Sequence, residues 1–142
     1  MHHPGATAGP ATDERRAMDE LIGVWTLDGF SAEREGEVTH PLGEHPGGML
    51  VYTADGWVSA LLVPEGHGDR PAPEHATTAA YAGRWERSGD TVLHHVGLSL
   101  HAPWVGTILR RDVRLASETE LELTTTSSSG AHWSLRWRRA TA

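Results

Sequence analysis

The sequence predicts an all-β fold: one eight-stranded antiparallel up-and-down β-barrel, closed around a water-poor pocket and preceded by a short N-terminal helix. Three observations carry this expectation. Eight strand-length runs lie between residue 24 and residue 139, and in most of them apolar residues recur with a period of two, which is the signature of strands with one face toward an interior. Most of these runs are joined by short turns rich in Gly, Ser, Thr and Asp. The 142 residues supply one core and are too few for separate catalytic and binding domains. Eight strands can just enclose one small ligand, and closure removes the exposed edges of an open sheet. A two-sheet sandwich is the structural alternative.

Residues 1–12, rich in Gly, Ala, Pro and Thr with nothing to bury, read as a disordered leader, and residues 13–142 as the barrel domain. From Asp13, acidic residues open a segment in which Met18, Leu21 and Ile22 share one helical face, and Gly23 follows where a helix would stop. A helix over 13–21 would plug one barrel end. In the first strand Trp25, Leu27, Gly29 and Ser31 alternate with Val24, Thr26, Asp28 and Phe30. A Gly- and Pro-rich connection over 39–48 leads to the second strand, 49–53, where Leu50 and Tyr52 share a face. Ala54-Asp55-Gly56 is a tight turn into the third, 57–63, because Asp-Gly between apolar runs is a strong hairpin signal. That third strand is apolar on both faces; its phase is read with Trp57, Ser59 and Leu61 inward. Residues 64–73 form a polar loop, and 74–80 a short helix acting as a lid.

Five further strands are expected at 81–87, 91–100, 107–116, 120–126 and 132–139. Successive side chains alternate, so faces can be assigned. Trp133, Leu135 and Trp137 oppose His132, Ser134, Arg136 and Arg138, which sets the aromatic face inside. The same rule turns Tyr81, Gly83 and Trp85 inward, and Leu121, Leu123 and Thr125 with them. Two strands carry a polar group on their apolar face: His94 with Val92, Val96 and Leu98, and Arg111 with Leu109, Val113 and Leu115. His95 and Arg110 fall outside.

Composition narrows the chemistry. There is no Cys, Lys, Asn or Gln, which removes disulfides, thiolate sites, Schiff bases and side-chain amides from the available mechanisms. A net charge of -7 with scattered acidic groups disfavours nucleic acid and anionic membrane surfaces as partners. No apolar run approaches the ~20 residues that cross a bilayer, and residues 1–10 lack the regions of a signal peptide, so a cytoplasmic location is expected. Nucleotide-binding glycine loops, paired-His zinc helices and nucleophile elbows are absent. The ten histidines show no recognisable ligand spacing, so neither a metal nor another cofactor is expected.

An inward guanidinium needs a partner, since an unpaired buried charge costs several kcal/mol. Arg111 can lie against an aromatic ring, donate to backbone carbonyls near a barrel end, or hold an anionic or carbonyl-bearing ligand. His94 is either a satisfied interior group or, with an ordinary pKa near ~6.5, the best acid or base available. Tyr52 and Tyr81 can orient a carbonyl or serve as core residues with a hydrogen-bonded tip. Four tryptophans inward by phase, Trp25, Trp85, Trp133 and Trp137, would suit a flat aromatic or polyene ligand.

Several motifs together resemble the bacterial lipocalin-like domain family: Leu21-Ile22-Gly23-Val24-Trp25-Thr26-Leu27, Pro41-Leu42-Gly43 with Pro46-Gly47-Gly48, Tyr52-Thr53-Ala54-Asp55-Gly56, Val92-Leu93-His94-His95-Val96, Pro103-Trp104-Val105-Gly106 and Leu135-Arg136-Trp137-Arg138. The resemblance runs from about Leu21 to Arg138. The chain departs from the pattern between Val63 and Tyr81, which is shorter and richer in Pro, Gly and His. The resemblance implies an eight-stranded barrel with an internal pocket and no single reaction. The leading expectation is a cofactor-free cyclase or isomerase acting on a polyketide- or terpenoid-like intermediate. His94, Arg111 and Tyr52 are its catalytic candidates, and Trp25, Ser59, Tyr81, Trp85, Leu109, Trp133 and Trp137 its substrate-binding ones. The alternative is a non-catalytic carrier of a small apolar or aromatic ligand. A homodimer, joined edge to edge or mouth to mouth, is compatible with either.

Overall fold

The computed structural model describes residues 15–16, 18–69 and 78–140. Nine strands form one antiparallel sheet: β1 Gly23–Arg34, β2 Glu37–Thr39, β3 Gly47–Tyr52, β4 Trp57–Val63, β5 Ala79–Ser88, β6 Thr91–Ser99, β7 Ile108–Ser117, β8 Glu120–Thr126 and β9 His132–Arg139. Their order is β2-β1-β3-β4-β5-β6-β7-β8-β9, and β1 also pairs with β9. The eight longer strands therefore close into the expected up-and-down barrel. The addition is β2, which folds back on the far half of β1, with Ala32 opposite Thr39 and Arg34 opposite Glu37. Its tight turn is made by Glu35 and Gly36, both at positive φ, the geometry that hairpins favour.

Two corrections to the N-terminal half have physical causes. The helix over 13–21 is not supported as an element. Part of it lies outside the described residues, and what remains is one turn, in which Glu20 N–H donates to the Arg16 carbonyl and Leu21 N–H to that of Met18. In β4 the faces are the reverse of those expected. Val58, Ala60 and Leu62 are buried, while Trp57, Ser59 and Leu61 are exposed. The strand is apolar on both sides, so alternation gave no phase, and Trp57 is accommodated outside beneath the Arg84 guanidinium, 4.3 Å from its ring. The lid helix over 74–80 falls mostly outside the described residues; Ala79 and Ala80 belong to β5.

Register shifts mark the places where period two breaks. In β1 the partners step from Leu27–Trp137 to Gly29–Arg136, so Asp28 is the extra residue, and Phe30 and Ala32 rather than Gly29 and Ser31 turn inward beyond it. Gly97 is the extra residue of β6 opposite the Ala82–Gly83 step, and Leu98 beyond it is 72% exposed instead of inward.

The two barrel ends differ. At the end formed by the short β3–β4, β5–β6 and β7–β8 turns, Leu21, Trp25, Tyr52, Val58, Trp85, Val92 and Leu121 pack as a solid core. Trp25 N–H donates to the Leu21 carbonyl and Trp85 N–H to that of Thr53, so both indoles are tied to this end. Arg139 fastens it. Its guanidinium lies 4.2 Å from the Trp25 ring and donates to the Glu20, Ile22 and Glu118 carbonyls. At the opposite end the long connections leave room.

Gly83 lies where β5 and β6 approach most closely, and a Cβ there would collide with the His95 carbonyl oxygen, whereas one at Gly97 would meet only ordinary contact at 3.8 Å. Gly83→Ala is expected to destabilise the barrel by about 3 kcal/mol and Gly97→Ala by less than about 1 kcal/mol, as measured by urea denaturation.

Candidate functional site

A cavity of about 360 Å³ occupies the half of the barrel beneath the long connections, a volume that suits a molecule of two or three fused or linked rings. Its walls come from nearly every strand. Phe30 of β1 and Trp133 of β9 meet with ring centroids 5.5 Å apart. Leu50, Ala60, Leu62 and Ala79 form the side made by β3 to β5, and Leu123, Leu135 and Trp137 the opposite side. The 3-10 turn Ala102–Trp104 carries Trp104 over the cavity, where its ring meets Tyr81 edge to face at 5.9 Å and His101 at 5.1 Å.

Polar groups are few, and they converge. His94, from the middle of β6, is 1% exposed. Its Nε2 is 2.6 Å from the Tyr52 hydroxyl and its Nδ1 2.6 Å from the Tyr81 hydroxyl. The two tyrosines reach it from β3 and β5, and Tyr52 is wedged in place by Trp85, 4.5 Å away between ring centroids. Burial, reinforced by the Arg111 and His95 charges, lowers the His94 pKa to about 3. The ring is therefore neutral near pH 7, with one N–H and one lone pair. Burial raises the phenols too: Tyr52 well above its usual value, and Tyr81 to about 12 against the opposing pull of Arg111.

Proton accounting fixes the direction of this chain. Tyr52 is 1% exposed and its hydroxyl meets only His94 among the described residues. Were it to accept from Nε2–H, its own proton would be buried without an acceptor, at a cost of about 1–3 kcal/mol. Tyr52 O–H therefore donates to Nε2, and Nδ1–H donates to the Tyr81 oxygen. Tyr81 lines the cavity, so its own proton is left to point at whatever the cavity holds. Each bond polarises the next, which makes the terminal O–H a stronger donor than an isolated phenol.

Arg111 of β7 also lines the cavity. Its register partner on β6 is Val92, which places its side chain on the His94 side of the wall. The guanidinium donates to the Arg110 carbonyl at 3.0 Å and pairs with no carboxylate and no aromatic ring among the described residues.

The residues singled out from sequence thus separate. His94, Arg111, Tyr81, Trp133 and Trp137 line the cavity, and Tyr52 stands directly behind His94. Trp25 and Trp85 are inward but belong to the solid end. Leu109 is half-buried beside His94 in register but outside the cavity wall. Ser59 is exposed on the outer face, for the reason given for β4. Phe30 and Trp104 were not anticipated. Phe30 is turned in by the bulge at Asp28, and Trp104 lies on a connection, where alternation says nothing. Among the described residues no group of three or more His, Cys, Asp or Glu is arranged to hold a metal, and no helix is long and apolar enough to cross a membrane.

A family model described as a lipocalin-like domain matches residues 22–140. No curated protein matches the chain. Among solved structures, a redesigned β-barrel aligns with a TM-score of 0.50 at 14% identity over 89% of this chain and 96% of its own, a likeness of fold. Two others lie below it. One is a de novo designed fluorescence-activating β-barrel (TM-score 0.46, 13% identity, 87% of this chain and 97% of its own). The other is a redesigned β-barrel bound to DFHBI (TM-score 0.45, 15% identity, 87% and 99%).

The neutral His94 has a thermodynamic signature. Its folded pKa of about 3 lies below the unfolded 6.5, so the unfolded chain binds the proton first. The stability it contributes is complete above pH 6.5 and is lost as pH falls toward 3, by up to about 1.4 kcal/mol per pH unit. In denaturation measured between pH 7 and pH 4, His94→Gln is expected to lose stability with a shallower slope than the wild type.

Proposed function

The chain belongs to the lipocalin-like domain family, and on that premise we propose that its cavity takes up a flat, largely apolar molecule and acts on it as a cofactor-free cyclase or isomerase of polyketide- or terpenoid-like intermediates. The observation that carries this reading is the Tyr52–His94–Tyr81 chain, which ends in a hydroxyl at the cavity wall. A storage pocket needs apolar walls; a three-residue polar chain set into them, beside a guanidinium, suits a carbonyl on which negative charge develops.

The division of labour follows from the geometry. The aromatic walls, Phe30 with Trp133 and Trp104 above, hold the substrate in a folded conformer, which removes much of the entropic barrier to ring closure. Tyr81 O–H and the Arg111 guanidinium polarise the carbonyl oxygen as charge builds up there. His94 and Tyr52 do not meet the substrate as free acid or base, because both ring nitrogens are engaged; they are positioning residues that aim and strengthen the Tyr81 donor. Full proton loss from Tyr81 is unfavourable with its pKa at about 12. Hydrogen-bond polarisation without proton transfer therefore fits best, in a rearrangement whose bond-forming atoms all belong to the substrate.

With conjugated polyketide- or terpenoid-like ketones as substrates, Tyr81→Phe and Arg111→Met are each expected to lower product formation by ~10²-fold and affinity, followed by Trp fluorescence, by less than ~10-fold. Variants as active as the wild type would contradict the site assignment. Wild-type binding with no product from any such ketone would favour a carrier.

A further inference from the structure

Among the described residues, the side chains around the cavity offer donors and almost no acceptors. Tyr81 presents its hydroxyl proton, since its oxygen already accepts from His94. Arg111 presents N–H groups and a full positive charge with no carboxylate opposite it among the described residues. Trp137, 2% exposed on the same wall, keeps its indole N–H buried behind the wall without an acceptor among the described residues, a rare condition in a folded interior, and adds no acceptor to the cavity. Against these stand, among the described residues, two side-chain hydroxyls, Thr125 and Ser127, and the Ser127 oxygen already accepts from the Ala131 N–H. Among the described residues no Asp or Glu lines the cavity, although the chain carries 19 of them.

An unpaired guanidinium in an apolar wall stabilises an anion far more than it would in water, and it favours the ionised form of any weak acid placed against it. A neutral ketone would use the hydrogen bonds but leave the charge uncompensated. We infer that the cavity takes its ligand as an anion, namely the enolate or phenolate of a conjugated, weakly acidic hydroxy-carbonyl molecule, with the charged oxygen between Arg111 and the Tyr81 hydroxyl. This rests on the cavity being the ligand site, and it deepens that reading by naming the ionisation state selected. It also narrows the substrate class, to molecules whose acidic hydroxyl is conjugated with a carbonyl.

The probe is 7-hydroxycoumarin, whose phenol and phenolate absorb at different wavelengths, compared with 7-methoxycoumarin, which has the same shape and cannot ionise. The full chain is titrated with each across pH 5–10, and the pKa of the bound hydroxycoumarin is read from its absorbance. The expected result is a bound pKa at least about one unit below that of the free dye, equivalent to tenfold tighter binding of the phenolate than of the phenol. The shift should be abolished in Arg111→Met and retained in Trp57→Ala, which alters only the outer face. A bound pKa equal to or above the free value, or methoxycoumarin binding as tightly as the phenolate, would overturn the inference and leave the cavity as a ligand site. Failure of both coumarins to bind would count against the cavity as a ligand site and so against the inference as well. The wild-type pKa shift decides the matter even if Arg111→Met does not fold.

Discussion

A histidine sealed from water between two tyrosines is the constraint on which the rest of this barrel turns. With no carboxylate beside it among the described residues, His94 is held neutral by its burial, and a neutral imidazole must find one acceptor and one donor or lose several kcal/mol. The two phenols meet that requirement from different strands, β3 and β5, so the hydrogen-bonded chain ties together three parts of the sheet. It also divides the interior. On the Tyr52 side the rings of Tyr52 and Trp85 pack without space; on the Tyr81 side the wall opens into the cavity. The polar chain therefore sits at the floor of the cavity and faces one way.

That polarity gives the tryptophans different tasks. Trp25 and Trp85 use their N–H groups on backbone carbonyls and close one end, where Arg139 covers Trp25 and binds three more carbonyls around it. Trp133, Trp137 and Trp104 shape the cavity, and Trp57 is outside under Arg84. Solid packing at one end keeps the barrel closed when the other end is hollow. A cavity of this size forgoes the contacts that a filled core would make, and the dense end with its clasp offsets that loss.

Much of this was legible in the sequence, and the exceptions have local causes. Closure into an up-and-down barrel follows from the eight strand-length runs and their short turns, and the inward placement of His94 and Arg111 from the apolar neighbours that share their faces. Three things were hidden. Alternation carries no information past a bulge, so strict period two puts Phe30 and Leu98 on the wrong faces beyond Asp28 and Gly97. A strand apolar on both sides has no phase, so the pattern cannot show that Ser59 faces outward. Period two separates inside from outside and does not say which barrel end a residue occupies, so Trp25, Trp85 and Leu109 could not be separated from the wall tryptophans Trp133 and Trp137. The joining of Tyr52 and Tyr81 on one imidazole is a long-range contact between residues 42 and 13 positions away from His94, and nothing in the local pattern encodes it.

Protons in the buried chain all point one way, from Tyr52 toward the cavity. The most direct measurement is the tautomer of His94, read from ¹⁵N chemical shifts of the imidazole nitrogens at neutral pH. That direction requires a neutral ring with Nδ1 protonated and Nε2 unprotonated, and a Tyr81 hydroxyl proton that responds to ligand. A ring protonated on Nε2, or on both nitrogens, would contradict it, because Tyr81 would then be an acceptor's neighbour or lie beside a buried cation, with no aimed donor left to present to the cavity.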